Sequence, residues 1–402
     1  MNRKKHDSNG EAETLLSVKN LSLHFHIDEK TIKAVNGADF HIQTNEVFGL
    51  VGESGSGKSV SALSILRLLP SPPCKINGEI VFKGEDLQGL TEKQMRKIRG
   101  RDITMIFQEP MSSLNPVLTI GDQISESIWL HQNMNKKDAW KKAVEMLKLV
   151  RIPEPSRAAK KYPHELSGGM KQRAMIAMAL ATNPSLLIAD EPTTALDVTI
   201  QKQILFLIKE LRREFRTSVL FITHNLGVMA EIADRVAVMY AGKILECASV
   251  KEIFHKPLHP YTMCLLRSIP RIDYPRERKL EIIPGRVPDP GSMPSGCVFH
   301  PRCPMAVTEC RGKEPPLFDL GGKHTSRCWR HAEIKSSKKK PIEIVSAVKK
   351  PENKHAGLLL SVKDLSRYFK VSFGGLSGRA DYVRAVDGIS FDLKKGEVLG
   401  LV

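Results

Sequence analysis

The pattern of apolar and polar positions divides the first 260 residues into strands and helices. Residues 15–23 alternate like an edge strand, and residues 32–42 form a second strand. Residues 46–51 are a short, largely apolar run suited to a buried parallel strand, and residues 61–69 have the apolar spacing of a helix. The order of these elements predicts an α/β fold that opens with a small sheet.

The middle of the chain continues in this way and then becomes helical. A strand at residues 78–82 precedes a basic helix at residues 92–99, which Thr91 could cap, and another strand follows at residues 102–107. Residues 120–162 have helical periodicity. They predict a helical insertion in which four large side chains have core-like spacing: Trp129, Trp140, Met146 and Leu147.

A glycine-rich stretch, residues 52–59, separates the buried strand from its helix. It has a glycine, four residues and then Gly-Lys-Ser. Glycines let the backbone turn its N–H groups onto phosphate oxygens, and the N-terminus of the next helix adds positive dipole. Lys58 would then reach the β- and γ-phosphates, while the Ser59 hydroxyl would hold Mg²⁺.

Polar side chains end three of the predicted buried strands. The strand at residues 186–191 ends in two carboxylates, whose burial would be unfavourable unless they met a cation or water. Asp190 suits Mg²⁺ through water, and Glu191 suits a base that polarises water towards a γ-phosphate. Gln108 and His224 also follow strands, at the end of the sheet where ligands bind in parallel folds.

A second glycine-rich turn, Ser167, Gly168 and Gly169, stands immediately before an alanine-rich helix. It is a second potential anion cradle, although a tight turn with an N-cap is the simpler interpretation. Asp197 opens the next helix and could likewise be only its cap.

Composition narrows the class of protein. A chain of 402 residues predicts two or more domains. No uncharged apolar run reaches the ~18 residues of a membrane span, and the first residues lack the apolar core of a secretory signal. Seven cysteines, an odd number, favour a reducing cytoplasm over a disulfide framework. The net charge of +17 could serve nucleic acid or an anionic membrane, but the lysines concentrated in residues 335–354 favour a solvated linker.

Taken together, the motifs resemble the nucleotide-binding subunit of an ABC transporter, in that family's order and spacing over about residues 15–260. The wording of residues 190–199, and Met170 in the signature, look like the dipeptide/oligopeptide/nickel importer branch. The resemblance implies a P-loop ABC-type domain with an antiparallel β subdomain and a helical subdomain. It also implies that ATP lies between two such domains, the phosphate loop of one facing the signature of the other.

The resemblance assigns roles to the same residues. Glu191 would be the catalytic base, His224 the switch, and Gln108 the sensor of the γ-phosphate that also contacts the permease. Mg²⁺ would be held by Ser59, Gln108 and Asp190. ATP would be bound by the following residues: Gly52, Glu53, Ser54, Gly55, Ser56, Gly57, Lys58, Ser59, Val60, Ser167, Gly168, Gly169 and Asp197. No aromatic side chain aligns cleanly for the adenine ring, and Phe25 is expected to pack in the core.

Four cysteines fall within a proline-rich segment: Cys297, Cys303, Cys310 and Cys328. Clustered thiolates suggest an iron–sulfur cluster or Zn²⁺. The spacing lacks the close pair common in zinc sites, yet His300 and His324 keep zinc open, and plain thiols are a third alternative. The segment is similar to the C-terminal extension of peptide-importer ATPases, some of which carry a [4Fe-4S] cluster, and that interpretation is favoured.

Past the lysine-rich linker the opening pattern repeats, because residues 359–366 echo residues 15–22 and residues 397–402 echo residues 46–51. We therefore expect a longer fusion with two ATPase domains. The predicted organisation is a disordered N-terminus at 1–13, an ABC nucleotide-binding domain at 14–260 with its helical subdomain at about 115–170, a loop-rich cysteine-containing extension at 261–332, a linker at 333–356, and the truncated start of a second such domain at 357–402.

The sequence thus predicts an ATPase on the cytoplasmic face of the membrane that couples ATP hydrolysis to import of dipeptides, oligopeptides or a related small solute. Its expected partners are transmembrane permease subunits, a second ABC ATPase domain, fused or in trans, and, indirectly, a solute-binding protein. The alternative is a soluble tandem ATPase that acts on nucleic acid or ribosomes. No aromatic and basic stripe suited to base stacking supports that alternative, so no nucleic acid is expected.

Overall fold

The computed structural model describes residues 13–108, 113–194, 196–269, 282–336, 357–371 and 381–401. Most of the predicted N-terminal tail and of the lysine-rich linker, residues 1–12 and 337–356, lies outside these ranges. The chain divides into two units, Met1–Ile342 and Glu343–Val402.

Two sheets organise the first unit. Its strands, in chain order, are β1 (Thr14–Ile27), β2 (Lys30–Gln43), β3 (Val47–Val51), β4 (Cys74–Phe82), β5 (Glu85–Asp86), β6 (Ile103–Ile106), β7 (Leu186–Asp190), β8 (Ser218–Thr223), β9 (Arg235–Tyr240), β10 (Lys243–Ser249), β11 (Phe318–Asp319) and β12 (Thr325–Ser326). Its helices are α1 (Lys58–Ile65), α2 (Glu92–Ile98), α3 (Ile120–His131), α4 (Lys136–Leu149), α5 (Pro155–Ala158), α6 (Gly168–Leu180), α7 (Val198–Phe215), α8 (Leu226–Ile232), α9 (Val250–His255), α10 (Pro260–Arg267), α11 (Thr308–Gly312) and α12 (His331–Ser336). Short 3-10 turns lie at Pro163–Glu165 and His300–Arg302.

The smaller sheet is antiparallel, with strand order β2-β1-β4-β5. The prediction that β1 is an edge strand is wrong, because β1 lies between β2 and β4. Alternation reports that one face of a strand is buried, and it carries no information about whether both edges are hydrogen-bonded.

The larger sheet has the order β11-β12-β10-β9-β3-β8-β7-β6. Strands β6, β7, β8, β3 and β9 are parallel, and β10 continues antiparallel. Along β3, Val47 and Val51 enter one core cluster while Phe48 and Leu50 enter the other. Both faces of β3 are therefore covered, which explains its unbroken apolar run.

Helices α3 to α5 form the predicted helical insertion. Ile120, Ile124 and Ile128 of α3 pack with Ala143 and other buried residues of α4 in the first core cluster. Of the four predicted core side chains, Met146 and Leu147 are buried and Trp140 is partly buried against the cluster. The prediction for Trp129 is wrong: it is 37% exposed, because it follows Ile128 by one position and turns away from that stripe.

The segment after residue 260 packs into the first unit. Strand β12 pairs with β10 at the end of the large sheet, and Tyr261 of α10 is fully buried. Phe299 is also fully buried and packs edge-on to Tyr240 of β9, with ring centroids 5.3 Å apart. The extension thus reaches β9, which pairs with β3, the strand that leads into the phosphate loop. In the described parts of the chain, no helix is both long enough and apolar enough to span a bilayer.

The second unit contains an antiparallel hairpin, β13 (Leu358–Val371) and β14 (Asp381–Lys394). Its register repeats that of β1 and β2: Leu16 pairs with Ile42 and Leu360 with Leu393. The irregularities repeat as well, because Asn20 and Asp364 both have left-handed backbones, at φ 49° and 46°. The repeat is therefore present in the backbone as well as in the sequence.

Candidate functional site

The phosphate loop runs from the end of β3 to Lys58, the first residue of α1. Two of its glycines are required by close backbone approach. A Cβ on Gly52 would lie 2.0 Å from the Met239 carbonyl oxygen, and one on Gly57, at φ 102°, would lie 2.6 Å from that of Ala34. No other residue type fits either position without moving a neighbouring strand.

Lys58 is buried, with its side chain folded over the loop. Its Nζ donates to the carbonyl oxygens of Gly52 and Glu53, each at 2.9 Å, and to Ser56 Oγ at 3.3 Å. Burial lowers the pKa of Lys58, and the nearby carboxylates of Glu191, Asp190 and Glu53 oppose that change. A phosphate would exchange these neutral acceptors for charged ones, which form stronger hydrogen bonds, so the loop fits a phosphate group.

Ser59 and Asp190 meet beside this loop. Ser59 Oγ donates to Asp190 Oδ1 over 3.1 Å, although the two residues are 131 positions apart in the chain. Burial raises the pKa of Asp190, the hydrogen bond from Ser59 lowers it, and the neighbouring charge of Glu191 raises it again. Oxygen ligands of this kind suit Mg²⁺, and a dication here would favour the ionised form of Asp190.

Glu191 follows β7 and is held from three sides. His224 Nδ1 donates to Oε1 at 3.0 Å, while Thr194 Oγ1 and Gln108 Nε2 donate to Oε2 at 2.9 and 3.3 Å. Its backbone has φ 46°, a left-handed conformation that is uncommon for a residue with a Cβ. Burial acts to raise the pKa of Glu191, but the hydrogen bonds from His224 and Thr194, together with neighbouring positive charge such as that of Lys58, outweigh it and the net pKa is lowered.

The consequence is an ionised, oriented carboxylate at neutral pH, which is the form that accepts a proton from water. Thr194 was missed by the sequence reasoning. Its only signal was its position three residues after Glu191 in a turn.

The second glycine-rich turn lies at the start of α6. Ser167 Oγ accepts from Met170 N at 3.4 Å, and Asp197 Oδ1 accepts from Ile200 N at 2.9 Å, so both residues cap their own helices. A Cβ on Gly169 would lie 3.1 Å from the Ile200 side chain, which puts the two helix starts side by side. Within the described ranges, no hydrogen bond joins Ser167 or Asp197 to residues 52–60 of the same chain.

Phe25, the aromatic of the opening sheet considered for the adenine ring, is partly buried against the core cluster of the smaller sheet. It lies in the strand pair of β1 with β2, opposite Ile32.

The four clustered cysteines line one small cavity in the extension: Cys297, Cys303, Cys310 and Cys328. Burial, with the neighbouring thiols adding to it, raises the pKa of Cys303 and of Cys328 to about 12. These thiols therefore keep their protons at neutral pH unless a bound cation replaces them. Within the part of the chain that the structure describes, no three His, Cys, Asp or Glu side chains are grouped so as to hold a metal ion.

Of the two histidines considered as zinc ligands, one lies at the cysteine cavity and the other contacts Glu246. The His300 ring lines the cysteine cavity, and its Nδ1 donates to the Cys297 carbonyl at 3.0 Å. His324 pairs instead with Glu246, its Nε2 lying 2.8 Å from Oε1. The Nε2 atom of His324 is therefore hydrogen-bonded to Glu246.

Two known protein families match the chain. The family described as ABC transporter matches residues 35–194, and the family described as oligopeptide/dipeptide transporter, C-terminal region, matches residues 245–310.

Several full-length relatives are similar over most of the chain. A probable peptide ABC transporter ATP-binding protein, y4tR, of Sinorhizobium fredii is 53% identical over 81% of this chain and 98% of its own length. The oligopeptide transport ATP-binding protein AppD of Bacillus subtilis is 53% identical over 80% of this chain and 98% of its own length. The dipeptide transport ATP-binding protein DppD of the same species is 52% identical over 79% and 95%.

Among solved structures, the fold is similar to a dimeric ATP-binding cassette, MJ0796, in a post-hydrolysis state bound to ADP and Pi. The TM-score is 0.53 at 30% sequence identity, and the match covers 59% of this chain and 99% of that one.

Proposed function

The chain belongs to the ATP-binding proteins of peptide ABC transporters and is an ABC-type ATPase, and from this premise we propose that it couples ATP hydrolysis to import of dipeptides or oligopeptides through a membrane permease. One observation carries the proposal. Three features meet at the carboxyl end of the parallel sheet: the phosphate loop, the Ser59–Asp190 pair and the hydrogen-bonded carboxylate of Glu191. That is where ligands bind in folds of this class.

Each residue of this site has a proposed part in phosphoryl transfer. ATP would supply the bond to be broken, and Mg²⁺ would neutralise much of the charge on its phosphates. Lys58 and the loop N–H groups would hold the phosphates, while Ser59, Asp190 and Gln108 would hold the metal. Glu191 accepts the proton of the attacking water, oriented for that role by His224. Such positioning accounts for most of the catalysis in reactions of this kind.

The signature residues are proposed to act on a second ATPase domain. In this chain Ser167 and Asp197 cap adjacent helices, and the open space beside Gly168 leaves that helix start accessible. The similar solved cassette is a dimer. Two facing domains would bring the helix start of one against the nucleotide of the other, where its N-terminal dipole stabilises phosphate.

A location on the cytoplasmic face of the membrane, bound to permease subunits, belongs to the same proposal. Relatives named for peptide transport support it, and they do not favour the nucleic-acid alternative. The test is uptake of a labelled oligopeptide into vesicles that hold the chain with its permease. ATP-dependent uptake is expected, and it should disappear with Glu191→Gln. Absence of uptake together with steeply salt-dependent binding to DNA or RNA would overturn the proposal.

We also propose that Cys297, Cys303, Cys310 and Cys328 hold a [4Fe-4S] cluster. The support is that all four thiols line one cavity, which shields a cluster from solvent. A [4Fe-4S] cluster offers a separate iron to each of the four thiolates, so the number of cysteines at the cavity matches its ligand set.

Iron and acid-labile sulfide in anaerobically purified protein test this second proposal. About four iron atoms per chain are expected, with a visible absorption band. Cys310→Ser should lower the iron content, whereas Cys74→Ser, a buried cysteine of the smaller sheet, should leave it unchanged. Stoichiometric zinc, or neither metal, would contradict the cluster.

The hairpin of β13 and β14 is proposed to be the opening of a second nucleotide-binding domain. Its register matches that of β1 with β2, yet Leu360 and Leu365 are 47% and 48% exposed where Leu16 and Leu21 are fully buried. An apolar face of this kind fits the third strand and core helix of such a domain. This fused, two-domain form rests on the hairpin and the sequence repeat alone.

A further inference from the structure

The extension makes direct contact with the phosphate loop. Arg302, immediately before Cys303, donates from Nη1 to Glu53 Oε2 at 2.6 Å and from Nη2 to Glu53 Oε1 at 3.1 Å. Glu53 is the second residue of the loop and lies 249 positions away in the chain. The pair is therefore a two-pronged ion pair between the cysteine segment and the nucleotide site.

All three guanidinium nitrogens of Arg302 donate hydrogen bonds. The guanidinium also donates from Nε to the Pro284 carbonyl at 2.9 Å, from Nη2 to the Ile283 carbonyl at 3.2 Å, and from Nη1 to Tyr240 Oη at 3.3 Å. Only 7% of the residue is exposed. A buried cation with this set of partners has one geometry available, so it can hold Glu53 in one place.

Glu53 is in turn held at each of its polar groups. Its N–H donates to Tyr261 Oη at 3.0 Å, and its carbonyl accepts from Lys58 Nζ at 2.9 Å. The carboxylate goes to Arg302. The carbonyl also accepts from Ser56 N at 3.2 Å, and the two partners outside the loop, Tyr261 and Arg302, come from the segment after residue 260.

Charge makes this arrangement matter for nucleotide binding. Glu53 is close enough to Lys58 for its charge to act on the ammonium. A carboxylate released from Arg302 would be free to pair with Lys58 and would repel the incoming phosphates. Arg302 both neutralises that carboxylate and draws it away from the lysine.

We infer that Arg302 is a positioning residue for ATP binding, which keeps the Glu53 carboxylate off Lys58 and thereby makes the phosphate loop depend on the folded extension. The inference rests on the proposed nucleotide function of the loop. It predicts that the defect of an Arg302 variant lies in ATP affinity and acts through the charge on Glu53.

The test is a double-mutant cycle on the full chain, with binding of a fluorescent ATP analogue and the kcat and KM of ATP hydrolysis as readouts. Arg302→Gln should weaken ATP binding by roughly tenfold to a hundredfold, with a larger effect on KM than on kcat. Adding Glu53→Gln should restore most of the affinity for ATP, because it removes the carboxylate charge that has lost its partner Arg302. Arg327→Gln is the matched control, since Arg327 is also a mostly buried arginine of the extension but pairs with Asp39, in β2.

Different results separate the two proposals. Failure of the unaltered chain to bind the analogue would overturn the nucleotide function, and the inference with it. Normal binding by that chain and equal affinity in Arg302→Gln would overturn the inference alone. A loss that Glu53→Gln does not restore would also overturn it, because the role of Arg302 would then be to fold the extension. Fluorescence of Trp329 in the same extension, measured with Trp129 and Trp140 replaced by Phe, reports whether the extension of the variant is folded.

Discussion

The imidazole Nδ1 of His224 donates to Glu191 Oε1 over 3.0 Å, joining the ends of two adjacent parallel strands, β8 and β7. The contact leaves the His224 side chain 59% exposed and the Glu191 side chain only 12% exposed. The histidine therefore lies on the solvent side of the carboxylate, and it orients a group that the sheet already holds.

Replacing Glu191 by Gln should abolish turnover and spare binding. Glutamine keeps the size of the side chain and its acceptor oxygen but cannot take a proton from water, so hydrolysis should fall by about 10²–10⁴-fold. ATP affinity, measured with a fluorescent analogue, should change little. Glu210→Gln is a suitable control, because Glu210 is an exposed partner of Arg151. Normal hydrolysis by Glu191→Gln would show that another group is the base.

Removing His224 should change the pH dependence of hydrolysis as well as its rate. The hydrogen bond from His224 helps to lower the pKa of Glu191. Without it that pKa rises, so a larger share of Glu191 is protonated at mildly acidic pH. In His224→Ala we expect kcat to fall by about tenfold or more, and the acid limb of its pH profile to move to higher pH.

The comparison for that experiment is His26→Ala, on an exposed histidine of β1 that contacts Thr31. Its pH profile should match that of the unaltered chain. An acid limb that stays in place in His224→Ala, even with a slower rate, would mean that His224 does not act through the ionisation of Glu191.

A pair of leucines at equivalent positions of the two hairpins should differ sharply in their contribution to stability. Leu21 is fully buried, so Leu21→Ala should lower the free energy of unfolding by about 2–5 kcal/mol. Leu365 occupies the matching position of β13 but is 48% exposed, so Leu365→Ala should cost less than about 1 kcal/mol. Urea unfolding followed by circular dichroism measures both, and equal losses would disprove the difference in packing.

His259 should make the first unit less stable in mild acid. Burial lowers the pKa of His259 to about 3, against about 6.5 when unfolded, and its neutral ring accepts from Tyr261 N at 3.1 Å. Between these pH values His259 binds a proton in the unfolded chain but not in the folded one. Its contribution to the free energy of unfolding is therefore fully present above pH ~6.5 and is lost as the pH falls below that value.

The slope from this one group approaches about 1.4 kcal/mol per pH unit. His259→Asn keeps a side chain that can cap α10 and does not titrate, so its free energy of unfolding should depend less steeply on pH between about 6 and 4. Urea unfolding at a series of pH values gives both slopes. If the free energy of unfolding has the same slope against pH in both proteins, the acid sensitivity comes from groups other than His259.

Much of the site could be read from local sequence because its parts are local devices. A phosphate loop needs a strand, glycines at fixed offsets and a helix start, and all three are contiguous around residues 52–59. Glu191 and His224 were identifiable because each follows a buried strand, and parallel strands bring their carboxyl ends to one edge. Thr91 was identifiable as a helix cap because it directly precedes the helix, and in the structure its side chain accepts from Gln94 N.

The pattern of residues therefore reveals most elements up to β8, the phosphate loop and the order of the candidate site residues. Only the folded chain shows which strands pair on both edges, that Thr194 supports Glu191, that four cysteines line one cavity, and that Arg302 holds Glu53. Periodicity and turn chemistry act over a few residues, so a sequence records them directly. Ion pairs and cavities between distant segments depend on how whole elements pack, and a single sequence leaves that packing unspecified.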